Sequence, residues 1–353
     1  MIEKGYYHRD SCRICLSKNI SKVVSLTPTP LGNNFLETKD LGNSEQIFPL
    51  DLYFCKQCFH VQLGHVVDKR FLFQNDYSYV SSTSPVFVKH LSDYAKYAIE
   101  ILDLKDSSFV IDIGSNDGTC LKFFQKECMN VLGIDPAENI AQIAKSNGIE
   151  TIADFFSNSL AETIVDDYGN ADLITSHNAC AHIDDLDEII RGVQTVLTDN
   201  GVFIMEVGYF LDVYKNKWFD TIYHEHLDFH TVASLKELFK RFDMEIFRAE
   251  RISPQGGSIR VFAQRINGRF EIDSSVEDLI KIESDEGLQD ISSLRRFENE
   301  INLIGDRFKK LLNEIKSNSQ KTLWGNSSKS IKKNTSRINI FLSDFLFILL
   351  NFI

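Results

Sequence analysis

The chain has 353 residues, 43% of them hydrophobic and 25% charged, with a formal net charge of −12. Single cores stop growing at roughly 250–300 residues, so this length implies two or three domains with a sizeable buried core. The acidic balance argues against a nucleic-acid partner, whose affinity would rest on Lys and Arg, yet leaves room for an anionic small ligand in a local pocket.

The start, MIEKGYYHRD, has no apolar run behind its positive charge, so no signal peptide is expected and the cytoplasm is the default location. Two CxxC pairs follow, Cys12/Cys15 and Cys55/Cys58. A CxxC places two thiolates on one tight turn, and two such pairs complete a tetrahedral site for Zn2+. In a reducing compartment this reads as zinc rather than as a redox motif or unrelated core cysteines. Four thiolates leave no open coordination position, so the metal is structural. The 39 residues between Cys15 and Cys55 exceed a short knuckle and must carry structure of their own. A nucleic-acid-binding zinc ribbon is the rival reading, weakened by the acidic balance. Cys120, Cys128 and Cys180 lie among apolar neighbours and read as core residues. Residues 1–75 are expected to form the zinc-binding module.

The stretch YSYVSSTS (77–84) leads into an expected helix over Val86–Leu102. From about Ser107 the pattern alternates: strands are expected at 109–114, 131–135, 150–154, 172–176 and 202–207, with helical patterns between them. Continuous apolar strands at this spacing imply a parallel sheet covered on both faces. EIFRAERI (245–252) and SIRVFAQR (258–265) flank a short PQGG turn and predict an antiparallel hairpin at the sheet edge. Beyond Ser274, Leu294, Phe297, Ile301, Ile304, Phe308, Leu311 and Ile315 recur at steps of three and four, which predicts an amphipathic helix. The fold class is therefore α/β, with a Rossmann-like core over 76–270 and a helical region over 271–353.

The loop after the first of these strands reads Asp112-Ile-Gly114-Ser115-Asn116-Asp117-Gly118, and Asp135 ends the second strand 21 residues beyond Gly114. Glycines permit close approach of backbone to a ligand, and an acid at that distance can hold both ribose hydroxyls. The layout fits a dinucleotide or S-adenosylmethionine (SAM), with a ligand-free turn as the bland alternative. Because the loop is not GxGxxG and carries Asp112 and Asp117, it suits the ammonium and sulfonium of SAM better than a pyrophosphate. Asp154, Phe155 and Phe156 would offer an acceptor and an apolar wall to the adenine.

FDTIYHEHL (219–227) places Tyr223, His224, Glu225 and His226 in a row. An extended strand would put the two histidines on one side, whereas a turn would bring Tyr223 and His226 together. An acid–base site is favoured over a catalytic metal, because HxH lacks a third ligand nearby, and over a polar strand edge, because four titratable side chains adjoin.

The combination of CxxC…CxxC, DIGSNDG, NACAHI (178–183), EVGY (206–209), FDTIYHEHL and GGSIR (256–260), in order from about residue 10 to about residue 320, resembles the sugar C-methyltransferases. Those enzymes are class I SAM methyltransferases that act on nucleotide-linked keto-deoxysugars in antibiotic and surface-polysaccharide pathways. The resemblance implies a SAM-dependent enzyme that deprotonates a sugar carbon beside a ketone and methylates it. By the same resemblance His226 is the base, with Glu225, Tyr223 and His182 of the NxxAH motif lining the pocket. His224 and Tyr79 are implied at the substrate, and Asn178, which opens the NxxAH motif, at the cofactor. O- or N-methylation of another polar metabolite, and a catalytically impaired binding protein, are the alternatives.

Several positions depart from the family's pattern. Gln255 stands where a His usually precedes the hairpin's GGS, and Asp228, Phe229, His230 and Thr231 replace Ser, Tyr, Phe and Ser after the YHEH motif. Trp324-Gly-Asn-Ser-Ser-Lys329 resembles the opening of a second lobe, beyond which the likeness ends. Residues 321–353 hold five basic residues and one acid and close on a 16-residue apolar run, INIFLSDFLFILLNFI, interrupted by Asp344 and Asn351. This reads as a shortened second lobe with a buried terminal helix rather than a membrane span. Neither the oligomeric state nor the identity of the sugar is legible.

Overall fold

A computed structural model describes residues 5–33, 44–73 and 79–318. The Trp324–Lys329 stretch and the terminal apolar run lie outside the described residues. The N-terminal module comprises β1 (Tyr6–His8), β2 (Ile20–Thr29), β3 (Phe48–Cys55), β4 (Val61–Leu63), β5 (His65–Val67) and a short helix α1 (Lys69–Phe73). β3 alternates: Phe48, Leu50, Leu52 and Phe54 point inward, as a half-covered antiparallel strand requires.

Helix α2 (Pro85–Leu102) opens the next unit. Ser84 caps it by accepting from the Phe87 amide, and Pro85 occupies the first turn, where no amide hydrogen is needed. Alternation then follows as the apolar pattern predicts: β6 (Phe109–Ile113), α3 (Thr119–Lys126), β7 (Asn130–Ile134), α4 (Glu138–Ser146), β8 (Thr151–Ile152), α5 (Asn158–Tyr168), β9 (Ala171–His177), α6 (Leu186–Val196) and β10 (Leu197–Gly208). The chain continues through α7 (Phe210–Asn216), β11 (Asp228–Phe229), α8 (Val232–Lys240), β12 (Met244–Ile252), β13 (Ser258–Arg265), α9 (Ser275–Asp285) and α10 (Ile291–Asn318).

Seven strands form one sheet in the order β12-β13-β10-β9-β6-β7-β8. β8, β7, β6, β9 and β10 are parallel, whereas β13 runs antiparallel to both its neighbours. The hairpin is thus at the edge, and its later strand is the inner one. The strand order reverses between β6 and β9, which opens a crevice at their carboxyl ends. Cys120 and Cys180 are buried as expected, but Cys128 is exposed at a positive-φ turn before β7, so it is not a core residue. The apolar stripe of α10 is buried at Leu294, Phe297 and Ile301, and Leu311 is exposed among the described residues.

The N-terminal module holds a two-stranded sheet, β1-β5, and a four-stranded sheet that is completed by an element far along the chain. β11, directly after the YHEH motif, pairs with β4 and completes the order β11-β4-β3-β2. The N-terminal sheet is therefore not closed within the segment 1–75.

The EVGY and GGSIR stretches meet across β10 and β13, where Glu206 and Arg260 are register partners. Arg260 donates to Glu206 Oε2 through Nε and Nη2 at 3.1 and 3.0 Å, and His90 lies 2.6 Å from Oε1. Burial alone would raise the Glu206 carboxyl, but His90, His177 and Arg260 outweigh it and hold the pKa down at about 2. Replacing Arg260 by Met strands a buried carboxylate, and urea unfolding at neutral pH is expected to show a loss of about 3–5 kcal/mol. A loss under about 1 kcal/mol would mean that the pair is not structural.

Candidate active site

A cavity of about 790 Å³ lies in the crevice at the carboxyl ends of β6 and β9. Its floor is the β6–α3 loop. Gly114, Ser115 and Asn116 line it, as do Asp112, Asp135, Asp154, Phe155 and Asn178. Gly114 and Gly118 both have φ +76°, a conformation that side chains rarely adopt. A Cβ at Gly114 would come 2.5 Å from Ala179, and one at Gly118 would come 2.9 Å from Ile149. These glycines let the loop close on its own neighbours, a different reason from the ligand approach that the spacing implied. Asp117 and Gly118 are not on the cavity wall. The Asp117 carboxylate instead accepts from the Thr119 hydroxyl at 2.7 Å and the Ser82 amide at 3.3 Å.

Asp135 is pinned at the tip of β7. Its two oxygens accept from the amides of Asn116 and Ala137, each at 2.9 Å. Burial raises its pKa while these amides oppose the rise. Ser115 Oγ is buried beside Gly133 of β7, without a hydrogen-bond partner among the described residues. Asn116 also holds the strap above the loop: its side chain accepts from the Ser81 amide and donates to the Tyr79 carbonyl. Tyr79 consequently lines the cavity, as does Gln255. The three carboxylates and the apolar Phe155 wall fit a cationic sulfonium with a ribose and an adenine, and they disfavour a pyrophosphate at this end of the cavity.

The four cysteines of the two CxxC turns converge, with all sulfurs within 4.8 Å of one another. Cys12 and Cys58 are 3.5 Å apart, as are Cys15 and Cys55. A tetrahedral ion with Zn–S bonds of about 2.3 Å needs sulfurs roughly 3.8 Å apart, so the set fits. Each turn ends on a left-handed residue, Leu16 or Phe59, which bends the chain tightly enough to present both thiols.

The YHEH motif is a turn, not a strand. The His226 amide donates to the Tyr223 carbonyl at 3.0 Å, which brings the two rings to 4.3 Å and the Tyr223 hydroxyl to 3.2 Å from His226 Nε2. His226 Nδ1 lies 2.8 Å from the Thr221 carbonyl. A carbonyl only accepts, so Nδ1 carries the hydrogen and Nε2 presents its lone pair. Burial lowers the His226 pKa. His182, on a 3-10 turn after β9, faces His226 edge-on at 5.0 Å, and burial pushes its pKa down to about 3. Tyr223, His182 and His226 line the cavity; Glu225 and His224 do not. Glu225 accepts from Asn33 at 2.9 Å, and burial raises its pKa. His224 is buried with its ring against Phe48. The sequence alone did not reveal the Thr221 carbonyl, Asn33, or Asp184 beside His182. Only a fixed turn length could have pointed to the first.

Three family models match the chain in succession: a zinc-binding domain over residues 12–73, a methyltransferase domain over 87–248 and a C-methyltransferase C-terminal domain over 253–335. The C-methyltransferase NovU of Streptomyces niveus is 34% identical over 288 residues, spanning 82% of this chain and 68% of that protein. The chain belongs to the C-methyltransferase family. An uncharacterized protein of Methanocaldococcus jannaschii is 30% identical over 122 residues, 33% of this chain and 42% of that one. Among solved structures, a SAM-dependent methyltransferase from Clostridium acetobutylicum covers 51% of this chain and 92% of its own at 15% identity and a TM-score of 0.41. Magnesium protoporphyrin IX methyltransferase from Synechocystis covers 50% and 79% at 12% identity and a TM-score of 0.39.

This C-methyltransferase therefore uses SAM and carries a structural zinc module. No helix among the described residues is long and apolar enough to cross a membrane. Metal analysis of purified protein is expected to give one zinc per chain, and Cys58→Ser to lose most of it; full zinc in that variant would exclude the four-sulfur centre. Replacing Asp135 by Ala is expected to weaken SAM about 10- to 100-fold by calorimetry, the scale of losing charge-assisted hydrogen bonds. An unchanged Kd would place the ribose elsewhere.

Proposed function

We propose that this C-methyltransferase removes a proton from the carbon beside a ketone in a nucleotide-diphosphate keto-deoxysugar and that methylation follows at that carbon. The observation that carries the reading is the His226 geometry: a buried imidazole that lines the cavity, with Nδ1 committed to a carbonyl and the Nε2 lone pair left beside the Tyr223 hydroxyl. Carbon, unlike oxygen or nitrogen, has no lone pair to alkylate. It must first be made nucleophilic, and a positioned base contributes about 10²–10⁴-fold to such a step. Nε2 takes the α-proton, the C–H electron pair shifts into the carbonyl, and an enolate results. The Tyr223 hydroxyl, 3.2 Å from Nε2, orients the lone pair and can turn to the enolate oxygen. Neutral His182 closes the same wall. Bound SAM supplies the electrophilic methyl group.

Lys69, which lies over the Phe155 ring, and Arg70, which is paired with Asp68, are the only Lys or Arg side chains on the cavity wall among the described residues, so the anionic nucleotide is supported by the resemblance of the motifs and not by the charge of the lining. The sugar itself is supported by the resemblance of the motifs, beside which Tyr79, Tyr223 and Gln255 place two phenol hydroxyls and an amide on the cavity wall.

The test is deuterium wash-in from D2O, without SAM, into keto-deoxysugars linked to dTDP, UDP, GDP or CDP. His226→Ala is expected to slow wash-in about 10²–10⁴-fold while SAM affinity stays within about twofold. Wash-in at the wild-type rate would remove His226 as the base. The sign of its pKa shift sets the pH profile. Burial lowers the pKa below the ordinary imidazole value of about 6.5, so the unprotonated base persists as pH falls to that value. The rate is expected to be flat from about pH 8 to 6.5 and to drop only in more acidic buffer. An acid limb centred above about pH 7 would contradict this assignment.

A further inference from the structure

Arg13 stands between two zinc ligands, Cys12 and Cys15, and is among the largest fully buried side chains, at 1% exposure. Its guanidinium does not face the metal turn. Nε donates to Asp184 Oδ1 at 2.8 Å. Nη1 donates to the Leu63 carbonyl at 2.8 Å and to the Leu227 carbonyl at 3.3 Å, with Asp228 Oδ1 at 3.9 Å. Asp184 lies two residues beyond His182, and Leu227 and Asp228 directly follow His226. One cation on the CxxC turn thus grips both loops that carry the cavity histidines.

The surrounding bonds make the grip rigid. The Leu227 amide donates to Ala181 O at 2.8 Å, tying the two loops to each other, and the Leu63 amide donates to Leu227 O at 2.8 Å. His60, two residues beyond the last zinc ligand, lies 2.7 Å from Asp228. Arg9 Nη1 is 3.2 Å from Asp184, and the Tyr7 hydroxyl also donates to that carboxylate. The planar fork of a guanidinium fixes direction as well as distance, which an ammonium cannot do.

We propose that Arg13 is a positioning residue that transmits the geometry of the zinc turn to His182 and His226, so that the metal module sets the reach of the base into the cavity. This rests on the reading of His226 as the base. It gives the four cysteines a part in turnover although neither they nor Arg13 line the cavity.

The test uses the full chain and the keto-deoxysugar nucleotide of the panel that exchanges fastest. Arg13→Lys keeps the charge and loses the fork. It is expected to retain one zinc per chain and SAM affinity within about twofold, with KM little changed, while kcat for wash-in falls roughly 10- to 100-fold, the scale of a misplacement near 1 Å. The same substitution made on top of His226→Ala is expected to cost nothing further. Full wash-in by Arg13→Lys would overturn the proposal. So would an equal fold-loss in the two backgrounds, because a merely structural role is indifferent to His226. Should Arg13→Lys fail to fold or to hold zinc, Asp184→Asn, at a partly exposed carboxylate, is read by the same criteria. His226→Ala run alone separates the two readings: unchanged wash-in there defeats the base assignment, whereas loss there with none in either partner variant defeats only the positioning role.

Discussion

One hydrogen bond, from His226 Nδ1 to the Thr221 carbonyl, orders the chemistry of this site. It selects a tautomer, fixes the ring plane and leaves the Nε2 lone pair beside the Tyr223 hydroxyl, on a side chain that lines the cavity. The turn from Tyr223 to His226 makes the bond possible, and burial keeps the ring neutral. A strand at the same place would have separated Tyr223 from His226 and pointed two imidazoles the same way.

The position of that turn depends on the rest of the molecule. A parallel sheet with a reversal between β6 and β9 creates the crevice. The loop after β6, closed by two positive-φ glycines, and the pinned Asp135 define the cofactor end. At the other end, β11 leaves the methyltransferase core and adds itself to the zinc module's sheet. That two-residue strand explains how a metal site without an open coordination position can matter to an enzyme. On the proposed reading the module clamps the segment that carries His226, and its four-stranded sheet is completed by the strand that follows that residue.

Much of this was legible beforehand. Strands such as FVIDI follow from a continuous apolar run and α10 from its stripe at steps of three and four, and the cysteine spacing points to a four-sulfur zinc site. Asp135 was visible from its distance to the glycine loop. Other features were hidden for physical reasons. A backbone carbonyl has no residue identity, so Thr221 could not be picked out. Arg13 and Asp184 are separated by 171 positions and read singly as surface charges. Gly118 lies off the cavity wall and packs against Ile149, and Asp117 turns inward to Thr119 rather than toward the cavity. Cys128 shows the limit of reading burial from apolar neighbours, because a single left-handed turn carries it to the surface.

The most direct measurement is of the tautomer itself. Long-range nitrogen–proton NMR on imidazole-labelled protein, with His226→Gln as the assignment control, reports which ring nitrogen carries hydrogen at neutral pH. The account predicts a neutral ring protonated at Nδ1. A ring protonated at Nε2, or an imidazolium at neutral pH, would leave no lone pair at Nε2 and would contradict it.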